Sequence, residues 1–273
     1  MKQEDKITEQ PSLYDHLETM TAGELLRHIN EEDLKVAQVV TGLLPRLTAL
    51  VEAIEERMKQ GGRIFYIGAG TSGRLGVLDA SELPPTFGVE PGLVIGLIAG
   101  GDKALRQAVE HAEDDDQQAW IDLQPYHPTP SDTLIGIAAS GTTPYVLGAI
   151  RKARAEGLLT AAIVSNPHTP MAEAAHHAIE TVVGPEFVTG SSRMKSGTAQ
   201  KMVLNMLSTS LMIRMGRVKG NRMVNMQLTN NKLKERGTRM LQEMLGLSTE
   251  EARRQLLEAG SVEAVINRQA SCT

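Results

Sequence analysis

The chain has 273 residues, 41% hydrophobic and 22% charged, with a formal net charge of −5 at pH 7, so it can bury a core and remain in solution. Aromatic residues make up 3%, too few for a platform on which single-stranded nucleic acid stacks, and the acidic balance gives no electrostatic footprint for DNA or RNA. The single cysteine, Cys272, allows no intrachain disulfide and reads as an exposed tail residue in a reducing compartment.

Residues 1–6 are charged and lack the apolar centre of a signal peptide. No apolar run approaches the ~20 residues of a membrane span. Residues 1 to about 12 read as a loose arm. Thr21 and Glu24 have the spacing of a capping box ahead of Leu25 and Leu26. From Val36 the apolar positions Val40, Leu43, Leu47, Leu50, Ile54 and Met58 step by three and four, which predicts an amphipathic helix. Pro45 should kink or split it, and Gly61 and Gly62 should stop it.

An alternation of strand-like and helix-like segments follows. Residues 63–69, 93–99, 133–139, 159–165 and, more weakly, 177–183 are apolar and β-prone, separated by helical stretches such as 103–112 and 145–156. This pattern predicts an α/β fold, a parallel sheet with helices on both faces and ligands at the carboxyl ends of its strands.

The first strand runs into Gly68-Ala69-Gly70-Thr71-Ser72-Gly73-Arg74. A glycine turn that opens a helix aims backbone N–H groups and the positive end of the helix dipole at one point. Thr71 and Ser72 add hydroxyls and Arg74 a charge, so Gly70, Thr71, Ser72, Gly73 and Arg74 are candidates for holding a phosphate. The Gly-x-Gly-x-x-Gly spacing also belongs to dinucleotide sites, but the next strand carries no acid at its tip for a ribose. The third strand ends in Ser140-Gly141-Thr142-Thr143 in the same way, with Thr142 or Thr143 doubling as an N-cap. Two such loops on one sheet edge suit a single phosphomonoester.

A third cluster, residues 191–198, precedes an apolar helix predicted over 196–215. Its Arg193 and Lys195 would either neutralise a phosphate or carboxylate or serve as capping and solvated charge. Glu82, followed by Pro84 and Pro85, is placed in the last turn of the helix that starts at the first loop. Glu113 opens the acidic run 113–116 at the end of the helix predicted over 103–112, where the dipole disfavours it; a solvated surface acid is the ordinary reading. The histidines show no metal-ligand spacing, and no metal is expected. Met223, Met226, Met240 and Met244 read as core of about three short helices over 228–266, punctuated by Gly246 and Gly260.

Over essentially its whole length the chain resembles the N-acetylmuramic acid 6-phosphate etherases, a SIS (sugar isomerase) domain family related to glucokinase regulatory protein. The likeness rests on residues 17–20, 29–33, 68–74, 78–87, 99–101, 112–114, 139–144 and 192–201; the runs Ser81-Glu82-Leu83-Pro84-Pro85-Thr86-Phe87 and Ser192-Arg193-Met194-Lys195-Ser196-Gly197-Thr198-Ala199-Gln200-Lys201 are the specific ones. The resemblance implies a helical segment over 1–60, a SIS sugar-phosphate domain over 61–220 and a helical module over 221–273. It also implies a cytoplasmic homodimer without cofactor, acting on a small sugar phosphate in cell-wall recycling. The implied reaction cleaves the lactyl ether at carbon 3 by elimination and water addition, releasing D-lactate, with Glu82 as proton donor and Glu113 as second carboxylate. The alternatives are a sugar-phosphate-binding regulator without catalysis and a phosphosugar isomerase. A helix starting at Gly73 would carry Glu82 about 13 Å from the loop, which suggests that Glu82 serves the neighbouring subunit's site.

Overall fold

The structure, a computed structural model, describes residues 6–270; Cys272 and residues 1–5 lie outside them. It divides into two compact units, the chain up to Ala80 with Val94–Leu207, and Ser81–Leu93 with the chain from Ser208.

In the first unit, α1 (Ala22–Gly42) starts where Thr21 and Glu24 form the predicted capping box. Leu43 separates it from α2 (Leu44–Lys59), and the two helices meet at a 59° bend. Pro45 lies in the first turn of α2, where a missing N–H removes no helical bond. Residues 6–12 are not loose. Ile7–Glu9 forms a 3-10 turn; Thr8 is buried, its N–H donating to Asn166 Oδ1 (3.2 Å) while Asn166 Nδ2 donates to Thr8 Oγ1 (3.0 Å). Ser12 Oγ donates to the Phe187 carbonyl at 2.8 Å.

Five parallel strands, β1 (Ile64–Gly68), β2 (Val94–Ile98), β3 (Thr133–Ile137), β4 (Leu159–Val164) and β5 (His177–Glu180), form one sheet in the order β2-β1-β3-β4-β5. Between and after them come α3 (Gly70–Phe87), α4 (Lys103–Arg106), α5 (Gln118–Leu123), α6 (Pro144–Ala155), α7 (Pro170–Ala174) and α8 (Lys195–Arg214). The central strands are apolar along their whole length because both faces are covered; Phe65, Ile67, Leu134, Val146, Ile150 and Val164 are among the buried core. The chain steps from β1 out to β2 and then back past β1 to β3. That reversal opens a crevice at the carboxyl ends of β1 and β3. The register pairs Gly68 with both Ile98 and Ile137, so the ends of β1, β2 and β3 are level and their loops share one rim.

Two helical expectations are corrected. The helix predicted over 103–112 stops at Arg106. Arg74 Nε and Nη2 donate to the carbonyls of Leu105 (3.2 Å) and Ala104 (2.8 Å), the acceptors that a continuing helix would need. In contrast, α3 does not end at Pro84; it runs through both prolines to Phe87, and Gly88 N–H then bonds the Pro84 carbonyl at 2.9 Å. The apolar helix α8 keeps an open face on which Met206 and Ile213 are exposed.

In the second unit, α9 (Asn231–Leu245) is N-capped by Asn230 and α10 (Thr249–Ala259) by Ser248; both end at a left-handed glycine, Gly246 and Gly260, and α11 (Val262–Ala270) follows. Met226 and Met240 pack with Leu241, Leu256 and Val265 in its core, as predicted for the methionine cluster. Gln227 N–H donates to the Pro85 carbonyl at 3.1 Å, fastening the segment 81–93 to this unit. Among the described residues no single helix is long and apolar enough to cross a membrane.

Candidate active site

The first loop is built by close approach. A Cβ on Gly73 would stand 2.6 Å from Ile98 Cγ1 and 2.8 Å from the Gly68 carbonyl oxygen, so only glycine lets α3 start tight against β1. Behind the loop lies α8. Ser72 is buried, and its Oγ donates to Gln200 Oε1 at 2.9 Å. Arg74 is turned onto the carbonyls that close α4. What the first loop offers a ligand is therefore the opening N–H groups of α3 and the half-buried Thr71, more than Ser72 or Arg74.

The second loop is arranged differently. Ser140 Oγ lies 3.3 Å from Thr143 Oγ1 and accepts from the Thr142 N–H at 3.3 Å and Thr142 Oγ1 at 3.4 Å. Gly141 between them has φ +68°. Thr143 occupies the N-cap position of α6 but makes no capping hydrogen bond. Asn166 Nδ2 donates to the Ala139 carbonyl at 3.0 Å and fixes the loop by its backbone, leaving the hydroxyls clustered on the rim. Lys6 reaches this cluster, its Nζ donating to Thr142 Oγ1 at 2.9 Å.

Glu113 stands beside both loops. It lies exposed in a turn rather than at the helix C-terminus expected for it. Its carbonyl accepts the Tyr145 N–H at 3.0 Å, which satisfies an orphan donor in the first turn of α6, directly after the second loop. The acidic run then lies so close on α6 that a Cβ on Gly148 would stand 1.8 Å from the Asp116 carbonyl oxygen. A cleft of about 230 Å³ is lined by Gly70 and Arg74 from the first loop together with Glu110, His111 and Glu113. Glu82 is exposed on α3 in the second unit and is not part of this first-unit cleft.

Lys195 is the first residue of α8 and is 2% exposed. Its Nζ donates to Glu32 Oε2 at 2.5 Å, and Lys35 and Tyr14 also donate to the same carboxylate. Burial pushes the Glu32 carboxyl up, but the hydrogen bonds from Lys195 and Lys35, the Lys195 charge and the Tyr14 bond together hold it below the usual range. The N–H groups of Lys195 and Ser196 are capped by Glu186, each at 2.9 Å. Charge at the foot of α8 is thus matched within the fold.

Sequence reasoning missed Lys6, Asn166, Glu32 and Glu186. Glu32 left a signal, since it continues the buried stripe of Val36 and Val40 at four-residue steps, where an acid needs a partner. Among the described residues no three His, Cys, Asp or Glu side chains converge as a metal site.

Comparison with known proteins follows the same outline. Residues 46–154 match the glucokinase regulatory protein N-terminal SIS domain, residues 126–210 the SIS domain, and residues 220–271 the C-terminal lid domain of glucokinase regulatory protein. A Porphyromonas gingivalis protein named N-acetylmuramic acid 6-phosphate etherase is 65% identical over 258 residues, 94% of each chain. A protein of the same name from Bacteroides fragilis is 62% identical over 96% of this chain and 93% of its own, and one from Christiangramia forsetii 59% over 98% and 97%. Among solved structures, a phosphoheptose isomerase from Francisella tularensis superposes with a TM-score of 0.55 at 16% identity, covering 71% of this chain and 100% of its own. A putative phosphosugar isomerase from Bacteroides fragilis gives 0.53 at 22%, covering 70% and 92%. At these identities the two structures speak for the fold alone.

Proposed function

This chain belongs to the N-acetylmuramic acid 6-phosphate etherase family, and from that premise we propose that it cleaves the lactyl ether of N-acetylmuramic acid 6-phosphate to N-acetylglucosamine 6-phosphate and D-lactate. The observation that carries the reading is the meeting of Glu113 with both hydroxyl–glycine loops at one switch point. A phosphomonoester held there has a proton carrier next to it.

The chemistry needs two proton-transfer groups. In the open-chain sugar the aldehyde acidifies the proton on carbon 2. Loss of that proton leaves an electron pair that forms the double bond to carbon 3 and expels the lactyl oxygen, which takes up a proton as it departs. Water then adds at carbon 3, and carbon 2 is reprotonated. Glu82 protonates the lactyl oxygen, and Glu113 is the second carboxylate, as base at carbon 2 or as acceptor of the proton that the adding water gives up. Gly70, Thr71, Ser72, Gly73 and Arg74 form one wall of the phosphate site, through their backbone N–H groups and the Thr71 hydroxyl, and Ser140, Gly141, Thr142 and Thr143 the other. Lys195 acts from beneath, as the buried cation that sets the start of α8.

The protein works as a cytoplasmic homodimer in the recycling of cell-wall sugar. Glu82 is about 18 Å of helical rise beyond Gly70 along the unbroken α3, which favours its acting in the partner's site. Exposed Leu26 and Leu34 on α1 and Met206 and Ile213 on α8 supply apolar surface for a second copy.

The test is lactate release from N-acetylmuramic acid 6-phosphate in oxygen-18 water, with wild type, Glu82→Gln and Glu113→Gln. Lactate with the label at carbon 3 of the sugar, lost in both variants, is expected. Label in the lactate hydroxyl would overturn the mechanism. A folded wild type that binds substrate and releases no lactate would make the chain a sugar-phosphate-binding regulator, and aldose–ketose exchange of a simple hexose phosphate would make it an isomerase.

A further inference from the structure

A phosphate dianion between these loops is favoured by a cation as well as by backbone N–H groups, and Arg74, Lys195 and Lys6 are not equivalent. Arg74 directs Nε and Nη2 to backbone carbonyls. Lys195 is buried on Glu32. Lys6 alone of the three has its ammonium on a loop hydroxyl, 2.9 Å from Thr142 Oγ1 and half-buried, with no carboxylate of the described residues within ion-pair distance.

The arm that carries Lys6 is held in place independently of that contact. Thr8 and Asn166 exchange two hydrogen bonds in the interior, and the same Asn166 amide holds the Ala139 carbonyl at the entrance to the second loop. One side chain thus fixes both the arm and the loop. Ser12 docks the arm a second time, its Oγ donating to the Phe187 carbonyl at 2.8 Å and its N–H to Thr189 Oγ1 at 2.9 Å. Fastening of this kind places the lysine and limits the entropy lost when an anion arrives.

We propose that Lys6, carried by the clasped N-terminal arm, is the cation of the phosphate site, binding the phosphoryl group of the substrate against Ser140, Thr142 and Thr143. The inference rests on the reading of these loops as a sugar-phosphate site and adds to it a residue outside the SIS core. In the free protein Thr142 Oγ1 accepts the ammonium proton. In the complex the ammonium donates to phosphate oxygens, and the Thr142 hydroxyl turns its proton from Ser140 Oγ to the same group. The arm is then part of the binding machinery, not a disposable leader to the first helix.

The experiment uses the full chain and measures binding apart from turnover. Calorimetric titration with inorganic phosphate and with N-acetylglucosamine 6-phosphate is compared for wild type, Lys6→Gln, Lys6→Arg and Thr8→Val, together with KM and kcat for lactate release. Loss of one charge-assisted hydrogen bond should weaken both ligands by about tenfold or more in Lys6→Gln, raise KM alike, and leave kcat and the melting temperature near wild type. Lys6→Arg should retain most of the affinity. Thr8→Val, which keeps the charge but unfastens the arm, should fall between. Added salt should weaken wild type more than Lys6→Gln. Equal phosphate affinity in wild type and Lys6→Gln would overturn the inference and leave the etherase reading standing. Lysine-dependent phosphate binding without lactate release would support the inference and sink that reading.

Discussion

The two loops on the rim are written in the same residues, glycine with serine and threonine at the end of an apolar strand, yet they present opposite things. In the first, the side chains turn back into the fold, Ser72 onto Gln200 of α8 and Arg74 onto the carbonyls that close α4. In the second, the backbone is held from below by Asn166, and Ser140, Thr142 and Thr143 meet one another and the Lys6 ammonium. What lies behind a loop decides the outcome. One buried glutamine on the helix behind the first draws its hydroxyl inward, whereas a backbone clamp behind the second leaves its hydroxyls clustered on the rim. Toward the rim the first loop therefore presents backbone N–H groups and Thr71, and the second its hydroxyl side chains.

Glu113 shares a cleft with the first loop and its carbonyl holds Tyr145 directly after the second, so its replacement is expected to have the largest effect. Glu113→Gln keeps the carbonyl that caps α6 and removes only the carboxylate. Lactate release should fall by about 10²–10⁴-fold with the melting temperature unchanged. Near-normal turnover would mean that Glu113 is scaffold alone. Next in size is the anchor beneath the first loop. Lys195→Met leaves Glu32 buried without its main partner and should cost about 3–5 kcal/mol in chemical denaturation. The double variant Lys195→Met, Glu32→Leu should recover most of that loss and bind substrate like wild type. A stable double variant with a greatly raised KM would show instead that Lys195 reaches the phosphate.

The parts legible in the sequence are those set by local chemistry. Apolar runs gave all five strands within two residues at each end, apart from the weak fifth, and the capping box at Thr21 and the glycines after α9 and α10 marked true helix ends. What was illegible depends on partners far along the chain. The helix predicted over 103–112 is cut short by Arg74, some 30 positions earlier. The arm is ordered by Asn166, 158 positions from Thr8. Lys195 reads as a site cation until Glu32, 163 positions away, is found against it. Of the candidate site, the placing of both glycine loops on one rim was legible, but which loop turns its hydroxyls inward was not.

A paired substitution sharpens that contrast. Ser140→Ala should raise KM by about tenfold, the worth of one hydrogen bond to a charged group, with little change in melting temperature. Ser72→Ala removes the donor to the buried Gln200 Oε1 and should instead cost about 1–3 kcal/mol of stability with KM almost unchanged. The reverse pattern would exchange the roles of the two loops.

The smallest effect is one of pH, and it separates the Glu32 anchor from the histidines beside β4 and β5. Burial, then the charges of Arg154, His177 and Arg57, hold His176 below the usual imidazole range, and burial alone does so for His177, on the flank formed by β4 and β5. The unfolded chain therefore binds protons first, and stability is lost as pH falls below about 6.5. Glu32, under the first loop, is also depressed, but its contribution is intact above about pH 4.3 and is lost only as pH falls further. Between pH 7.5 and 5.5 the melting temperature should drop slightly, by less than in any substitution above, and the drop should shrink in His176→Asn. Through the same interval the loss caused by Lys195→Met should shrink toward pH 5.5, because the Glu32 carboxyl keeps the burial that raises it and loses the bond and charge of Lys195 that lower it. A Lys195→Met penalty below about 1 kcal/mol at both pH values, the worth of an exposed pair, would mean that the carboxylate under the first loop is not held as a buried ion pair.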